Sequence, residues 1–308
     1  FDDPIHLEPL LPRDVVADGV LGKAHDLRTE AARLAGACQG GVSRELAALL
    51  RSMNSYYSNK IEGEHTRPVD IARALASDFS RDEDQARLQR LALSHIRTEI
   101  WIQDMPWATT ELYSVQALTE IHAHLFGQLQ AHDRIVRMHD KEGAVVEEIE
   151  AQPGQLRTRP VAVKHHIAPD GRALDAMLVR WSDVYRSARR GEMQIVAAAA
   201  AHHRLTWIHP FLDGNGRTAR LHTLAVLQSL GLTTGLWSPL RGLARSGERY
   251  SKMLANADMP RMGDMDGRGQ RSEKMLLEWI DFFLDTCLDQ VRFMGEMLNR
   301  QAMQKRLA

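Results

Sequence analysis

The chain has 308 residues, 44% of them hydrophobic, and sets 39 Lys and Arg against 40 Asp and Glu, a formal net charge of −1. This length and composition exclude a disordered chain and give a sizeable buried core in one large or two ordinary domains. The balanced charge argues against non-specific nucleic-acid binding. Cys38 and Cys287 lie too far apart for a metal-binding pair and do not suggest a disulfide framework, so a reducing, cytoplasmic setting is expected. No apolar run approaches the ~20 residues that span a bilayer. The first residue is Phe1, which suggests a trimmed chain.

Residues 1–20 carry Pro4, Pro9 and Pro12 and read as an extended lead-in. Helix-forming residues with apolar positions three and four apart then cover 23–38, 43–61, 68–77, 84–103 and 111–127. The stretch 128–172 is rich in Gly and Pro. It reads as loop, with one small hairpin around "RPVAVK" (Arg159 to Lys164) as the only β structure. Helices are expected again over 173–189, 192–206, 216–230, 246–257 and 272–303, with a polar, Gly-rich loop at 258–271. The expected organisation is an N-terminal helical region (1–105), a central core (106–258) and a C-terminal helical extension (259–308). The charged, Met-containing last helix suggests a further module beyond it.

Between two apolar helical runs lies "HPFLDGNGRTAR", His209 to Arg220. Gly214, Asn215 and Gly216 directly precede or open a helix, whose free N–H groups and positive dipole end favour an anion. Glycines let the backbone approach it closely, which makes a phosphate cradle. Arg217 and Arg220, three apart, share a face and can grip a polyphosphate through their guanidinium forks. Asp213 is placed to hold Mg²⁺ between phosphate oxygens. His209 can take a proton from an attacking hydroxyl. Phe211 is expected to plug the core and pin the loop. These are the parts of phosphoryl or nucleotidyl transfer. "GNGRTA" also fits a dinucleotide fingerprint, but that needs a preceding strand, and the run before it is Ala-rich and helical. His202 and His203 lack a zinc spacing and read as packing residues.

The motif matches the H-P-F-x-[DE]-G-N-G-R-x-x-R signature of the Fic family without departure, and the chain is identified on it as a member of that family. The resemblance extends over about residues 45–300 and includes "GQLRTRPVAVKHHIAP" (Gly154 to Pro169), which resembles the family's flap. It implies an all-α Fic helical fold with one small β-hairpin, and transfer of AMP from ATP to a hydroxyl of a target protein. By resemblance, His209 deprotonates the hydroxyl, which attacks the α-phosphorus, and Asp213 holds Mg²⁺. The Gly214–Gly216 backbone and the Asn215 side chain stabilise the phosphate oxygens, Arg217 contacts the phosphates, and Arg220 meets the γ-phosphate. The flap strand Val161, Ala162 and Val163 borders the nucleotide. Physically it is an edge strand, able to align a target segment by strand addition. Tyr250 is the expected platform for adenine, with Asn256 and Asp258 as further contacts. Several relatives have a second tyrosine where this chain has Ser251.

Upstream, "SNKIEG" (Ser58 to Gly63) places Ser58 and Glu62 on one helix face, with Gly63 suited to end the helix. Alone this is an ordinary helix C-terminus. It resembles the family's inhibitory pattern [ST]-x-x-x-E-[GN], which implies that Glu62 pairs with Arg220 in the place of the γ-phosphate. The chain thus resembles the intramolecularly inhibited class. Removal of AMP, transfer of another phosphate-bearing group, and ATP sensing without turnover are the alternatives. Partners are ATP and a target protein or the chain itself, no membrane, and DNA only through an absent module; a homodimer is left open.

Overall fold

The computed structural model of the chain describes residues 2–37, 41–139, 142–163 and 166–307. Among them are twelve α-helices: α1 (Asp18–Ala37), α2 (Gly41–Ile61), α3 (Pro68–Leu75), α4 (Glu83–Asp104), α5 (Thr109–Leu112), α6 (Val115–Gly127), α7 (Leu174–Arg186), α8 (Glu192–Ile208), α9 (Asn215–Ser229), α10 (Leu240–Arg245), α11 (Gly247–Ala257) and α12 (Glu273–Leu307). Two antiparallel pairs complete the fold: β1 (Ile135–His139) with β2 (Val145–Glu150), and β3 (Ala162–Val163) with β4 (His166–Ile167). The fold is all-α, as read from the sequence, with two small hairpins where one was expected.

Helix α8 is the axis of the core. It is apolar around most of its circumference, as a helix enclosed on all sides must be. Ile195 to Ala201 are at most 2% exposed. The alanines let α1, α7, α9 and α12 close in around it. One buried apolar cluster runs from Leu7 to Val291, across the boundaries expected near 105 and 258. No described helix is long and apolar enough to cross a membrane. Cys287 is a buried free thiol; Cys38 lies outside the described residues.

Three expectations need correction. The first 20 residues are not an extended lead-in. They form short 3₁₀ turns, begin α1 at Asp18 and bury Leu7 and Leu10. The buried guanidinium of Arg204 fixes them by donating to Pro9 O at 2.7 Å. Second, RPVAVK does not hold the only β structure. β1–β2 is the longer hairpin, and its largely exposed faces carry cross-strand ion pairs such as Arg137–Glu148 instead of an apolar alternation. Third, the helix expected over 111–127 breaks at Tyr113–Ser114, where the Ser114 hydroxyl caps α6 by accepting from Ala117 N.

Helix α2 packs antiparallel on α4 through polar side chains. Arg51 Nη1 donates to Gln103 Oε1 (2.8 Å), Asn54 Nδ2 to Glu99 Oε1 (2.8 Å) and Ser55 Oγ to Ala92 O (2.8 Å). Burial pushes the Glu99 carboxyl up to about 7, against the hydrogen bond from Asn54 and the charge of Arg51. Folded Glu99 therefore keeps its proton where the unfolded chain has lost it. Its contribution to stability is complete below the unfolded value and is lost as pH rises through about 7. Glu99→Gln, which keeps the acceptor for Asn54, should raise unfolding free energy at pH ~8 by on the order of 2 kcal/mol and leave it nearly unchanged at pH ~4.5. Denaturant titration at the two pH values checks this; equal effects at both would refute it.

Candidate active site

The motif loop is built between the end of α8 and the start of α9. Phe211 is fully buried, and the His122 ring lies flat between it and Phe126, at centroid distances of 3.9 and 4.3 Å. His122 Nδ1 accepts from Gly154 N (2.8 Å), so its proton is on Nε2, which donates to Asp213 O (3.1 Å). Asn215 closes a ring on Phe211: Oδ1 accepts from Phe211 N and Nδ2 donates to Phe211 O, both at 2.8 Å. Gly214 has φ +75°, and a Cβ there would lie 2.2 Å from the Phe126 ring. The loop is thus fixed before any ligand arrives.

The cations of the cradle come from α9. The Arg217 guanidinium lies over the Phe126 ring and has Nη2 3.4 Å from Asp213 Oδ2. Its Nε and Nη1 are buried and have no partner among the described residues. Buried, unsatisfied guanidinium N–H groups at a helix N-terminus call for an anion.

His209 caps α8 in the left-handed conformation (φ +52°), a strained geometry for a non-glycine residue that costs about 1–3 kcal/mol. Its Nδ1 lies 3.2 Å from Thr206 O. A carbonyl only accepts, so Nδ1 carries the proton and Nε2 keeps a lone pair. Burial lowers the imidazole pKa to about 4, so it is neutral near pH ~7 and able to accept a proton.

Facing this loop is the end of α2. Glu64 N bonds to Asn59 O (2.9 Å) and Gly63 N to Lys60 O (3.1 Å), with Gly63 at φ +83°: a Schellman motif that places Glu62 at the helix cap. Glu62 Oε1 is 2.6 Å from Arg220 Nη2. Arg220, with its side chain 1% exposed, also donates from Nε to Ser58 Oγ and from Nη2 to Ser58 O, both 3.0 Å. Burial would raise the Glu62 carboxyl, but the charges of Arg220 and Arg217 outweigh it and hold it below the usual range. A Cβ on Gly216 would lie 2.2 Å from Glu62 Oε1, so this carboxylate sits directly on the glycine face of the cradle. A cavity of about 720 Å³ opens beside it, lined among others by Glu62, His209, Gly216, Arg220 and Tyr250. That volume suits a nucleotide-sized ligand.

Residues 112–227 match the model of the Fic/DOC family. This stretch is a Fic domain. A relative named "Protein adenylyltransferase Fic" from Drosophila willistoni is 27% identical over 242 residues, which is 74% of this chain and 43% of that protein. One of the same name from Nematostella vectensis is 28% identical over 178 residues, 57% of this chain and 37% of that protein. The chain thus spans less than half the length of these curated relatives. Among solved structures, Fic-1 (residues 134–508) from C. elegans covers 93% of this chain and 74% of its own, with a TM-score of 0.66 at 16% identity. A Fic domain containing signaling protein from Bacteroides thetaiotaomicron covers 90% and 97%, with a TM-score of 0.65 at 15% identity. These two share the fold. Glu62 lies outside the matched stretch.

The Fic domain brings His209, Gly216 and Arg220 to one cavity, α11 adds Tyr250 and α2 adds Glu62. Asp213, Gly214, Asn215, Arg217 and Val161 are not among its described lining. Asn215 departs from the expectation that its side chain meets phosphate: both its polar atoms bind Phe211 backbone and lock the loop. Tyr250 is 3% exposed, with its hydroxyl 2.9 Å from His202 Nε2 and its ring against Trp279. Of the flap, Ala162 and Val163 pair with Ile167 and His166, and the latter two line the cavity. Asp258 lines it too, with His203 Nε2 3.0 Å from its Oδ1; Asn256 does not. Sequence reasoning missed His122, which no spacing links to the motif, and the lining residues His166, Thr206 and Arg271.

The loop geometry is testable at Gly214. Gly214→Ala should lose stability through both its positive φ and the Phe126 clash. Gly231→Ala has a similar φ (+70°) with nothing within 4 Å, and should lose only the backbone part, ~1–3 kcal/mol. Chemical denaturation of the two variants side by side checks the difference, and equal losses would contradict a packed loop.

Proposed function

We propose that this chain is a protein adenylyltransferase that transfers AMP from ATP to a hydroxyl of a target protein, and that Glu62 restrains it. The observation that carries the reading is the cradle: a helix N-terminus with a buried arginine whose Nε and Nη1 lack hydrogen-bond partners among the described residues, beside a neutral histidine and a nucleotide-sized cavity. Relatives named as protein adenylyltransferases support the same reaction class.

In this reading His209 Nε2 accepts the proton of the target hydroxyl as its oxygen attacks the α-phosphorus. The bond from the α-phosphorus to the bridging oxygen breaks, and pyrophosphate leaves. Backbone N–H groups of Asn215 and Gly216 and the Arg217 fork hold the phosphates, while the Gly214 N–H is bonded to Asp213 Oδ1 (2.6 Å). Arg220 binds the terminal phosphate once Glu62 is displaced. Asp213 would hold Mg²⁺. Its carboxylate is a hard oxygen donor, its side chain is 45% exposed, and it adjoins Arg217 N–H groups suited to phosphate, which fits an ion that takes one or two carboxylates plus phosphate oxygens. When bound, that ion neutralises charge on the phosphates. The flap would align the target segment by strand addition. An intact, correctly protonated His209 favours turnover over ATP sensing.

Glu62→Gly frees Arg220 from a buried ion pair and should raise AMP transfer by about 10²–10³-fold. His209→Ala in that background should abolish it. Labelling with α-³²P-ATP and Mg²⁺ checks both; equal labelling of parent and Glu62→Gly would sink the restraint, and label surviving in His209→Ala would sink the mechanism.

The pH profile is a further check. His209 loses activity only when protonated, and its pKa is about 4. Glu62 raises that value, so its removal lowers it further. kcat/KM for ATP in Glu62→Gly should therefore show no acid limb from a base between about pH 5.5 and 8. An inflection near ~6.5, the ordinary histidine value, would contradict a buried neutral base.

A further inference from the structure

The flap and the end of α8 meet at Arg157, a side chain outside the signature. Arg157 is 4% exposed. Its Nε donates to His209 O (2.6 Å), its Nη1 to Arg159 O (2.9 Å), and its Nη2 to Pro169 O (2.6 Å) and Ile208 O (3.2 Å). Its backbone N–H donates to Pro210 O (2.9 Å), and Leu156 pairs with Phe211. The two flap carbonyls lie on either side of the β3–β4 hairpin, and the two α8 carbonyls lie at or beside the left-handed residue.

Every acceptor among these bonds is a neutral carbonyl, and burial lowers the Arg157 pKa. A group serving only to fill space could be apolar at less cost. What the fork adds is direction: a planar guanidinium can meet four carbonyls at once, which a lysine ammonium cannot reproduce. The α8 carbonyls are those a helix C-terminus leaves without intrahelical partners, where a cation is favoured. A second side-chain tie, His166 Nε2 to Trp207 O (2.8 Å), binds the next carbonyl back.

We propose that Arg157 is a positioning residue that locks the flap to the C-terminal end of α8, and so sets the His209 imidazole at a fixed distance from a hydroxyl presented on the flap. The catalytic consequence rests on the adenylyltransferase reading. The mechanical part does not.

The test uses the full chain carrying Glu62→Gly, with Arg157→Lys, Arg157→Ala and, as a control on the outer hairpin, Arg137→Gln. With α-³²P-ATP, Arg157→Lys should lower kcat about 10²-fold while KM for ATP stays within about threefold, since positioning is lost and the phosphate cradle is not. Arg137→Gln should match the parent. Millimolar guanidinium should restore part of the loss in Arg157→Ala and none in the control. In parallel, the His209 ring resonances, assigned with His209→Ala, are titrated by NMR without nucleotide. Arg157→Lys should shift them and raise the midpoint, because the imidazole gains access to water. Parental kcat in Arg157→Lys, or unshifted His209 resonances, would overturn the proposal. If Arg157→Ala does not fold, Arg157→Lys and the NMR titration decide. If no variant, Glu62→Gly included, transfers AMP, the functional reading fails while the NMR result still settles whether Arg157 sets His209.

Discussion

A guanidinium taken out of water needs an anion, and the side chain of Arg220 is 1% exposed. Ser58 gives it two neutral acceptors, but only Glu62 brings a negative charge. The carboxylate lies on the glycine face of a helix N-terminus, where backbone dipoles add to the attraction. This seat is filled by charge complementarity and little else, so any other anion of suitable reach competes for it directly. The folded chain carries its own occupant, delivered from 158 residues upstream.

The two partners in that contact are held by different kinds of structure. Arg220 belongs to α9, which packs on the largely buried α8 through a mostly apolar surface. Glu62 belongs to α2, which docks on α4 through amides, a hydroxyl and an arginine. That interface is incompletely satisfied. Both polar atoms of Asn59, both ring nitrogens of His95 and Glu99 Oε2 are buried without a hydrogen-bond partner among the described residues, His95 Nδ1 and Glu99 Oε2 lying 4.0 Å apart. Burial, together with the charges of Arg220 and Arg217, pushes His95 down to about 3, so it adds no charge to compensate. Unpartnered buried polar groups are costly, and they lie on both sides of the contact: under α2, and on α9 at Arg217 Nε and Nη1 and Thr218 Oγ1. What separates the two partners is exposure: the Arg220 side chain is enclosed by its own helix and Ser58, whereas the Glu62 side chain is 35% exposed and is the more readily moved half of the contact.

The sequence disclosed what depends on local chemistry. Gly214 and Gly216, Arg217 and Arg220, and the Ser58–Glu62–Gly63 turn each act within a few residues of themselves, and their spacing shows it. The Ala-rich run of α8 was legible because enclosure on all sides removes amphipathic periodicity. What stayed hidden acts across the chain. His122 reaches the motif from a helix 91 residues before Asp213, and Arg157 meets His209 over 52 residues; neither offset leaves a pattern. Asn215 misled for another reason: an amide beside a phosphate cradle looks like a ligand, and only the two bonds to Phe211 show that it braces the loop. β1–β2 escaped because its strands are stabilised by cross-strand charge pairs, and those side chains also suit a solvated loop.

The polar chain behind Arg220 explains why its seat demands a full charge. The Thr223 hydroxyl donates to Ala219 O, so it accepts from His202 Nδ1, and His202 Nε2 must then accept from the Tyr250 hydroxyl. With its proton directed at His202, the Tyr250 oxygen is left as an acceptor for Arg220. Burial and the charge of Arg220 hold His202 well below its ordinary pKa, which keeps this ordering in place. Arg220 is therefore oriented from behind by neutral acceptors alone, which fix its direction without reducing its charge. The whole positive charge is presented to the cradle side. A neutral ligand would leave it uncompensated, and an anion placed elsewhere in the cavity would not meet the fork. Selection at this seat follows from the geometry of one arginine and the neutrality of everything that holds it.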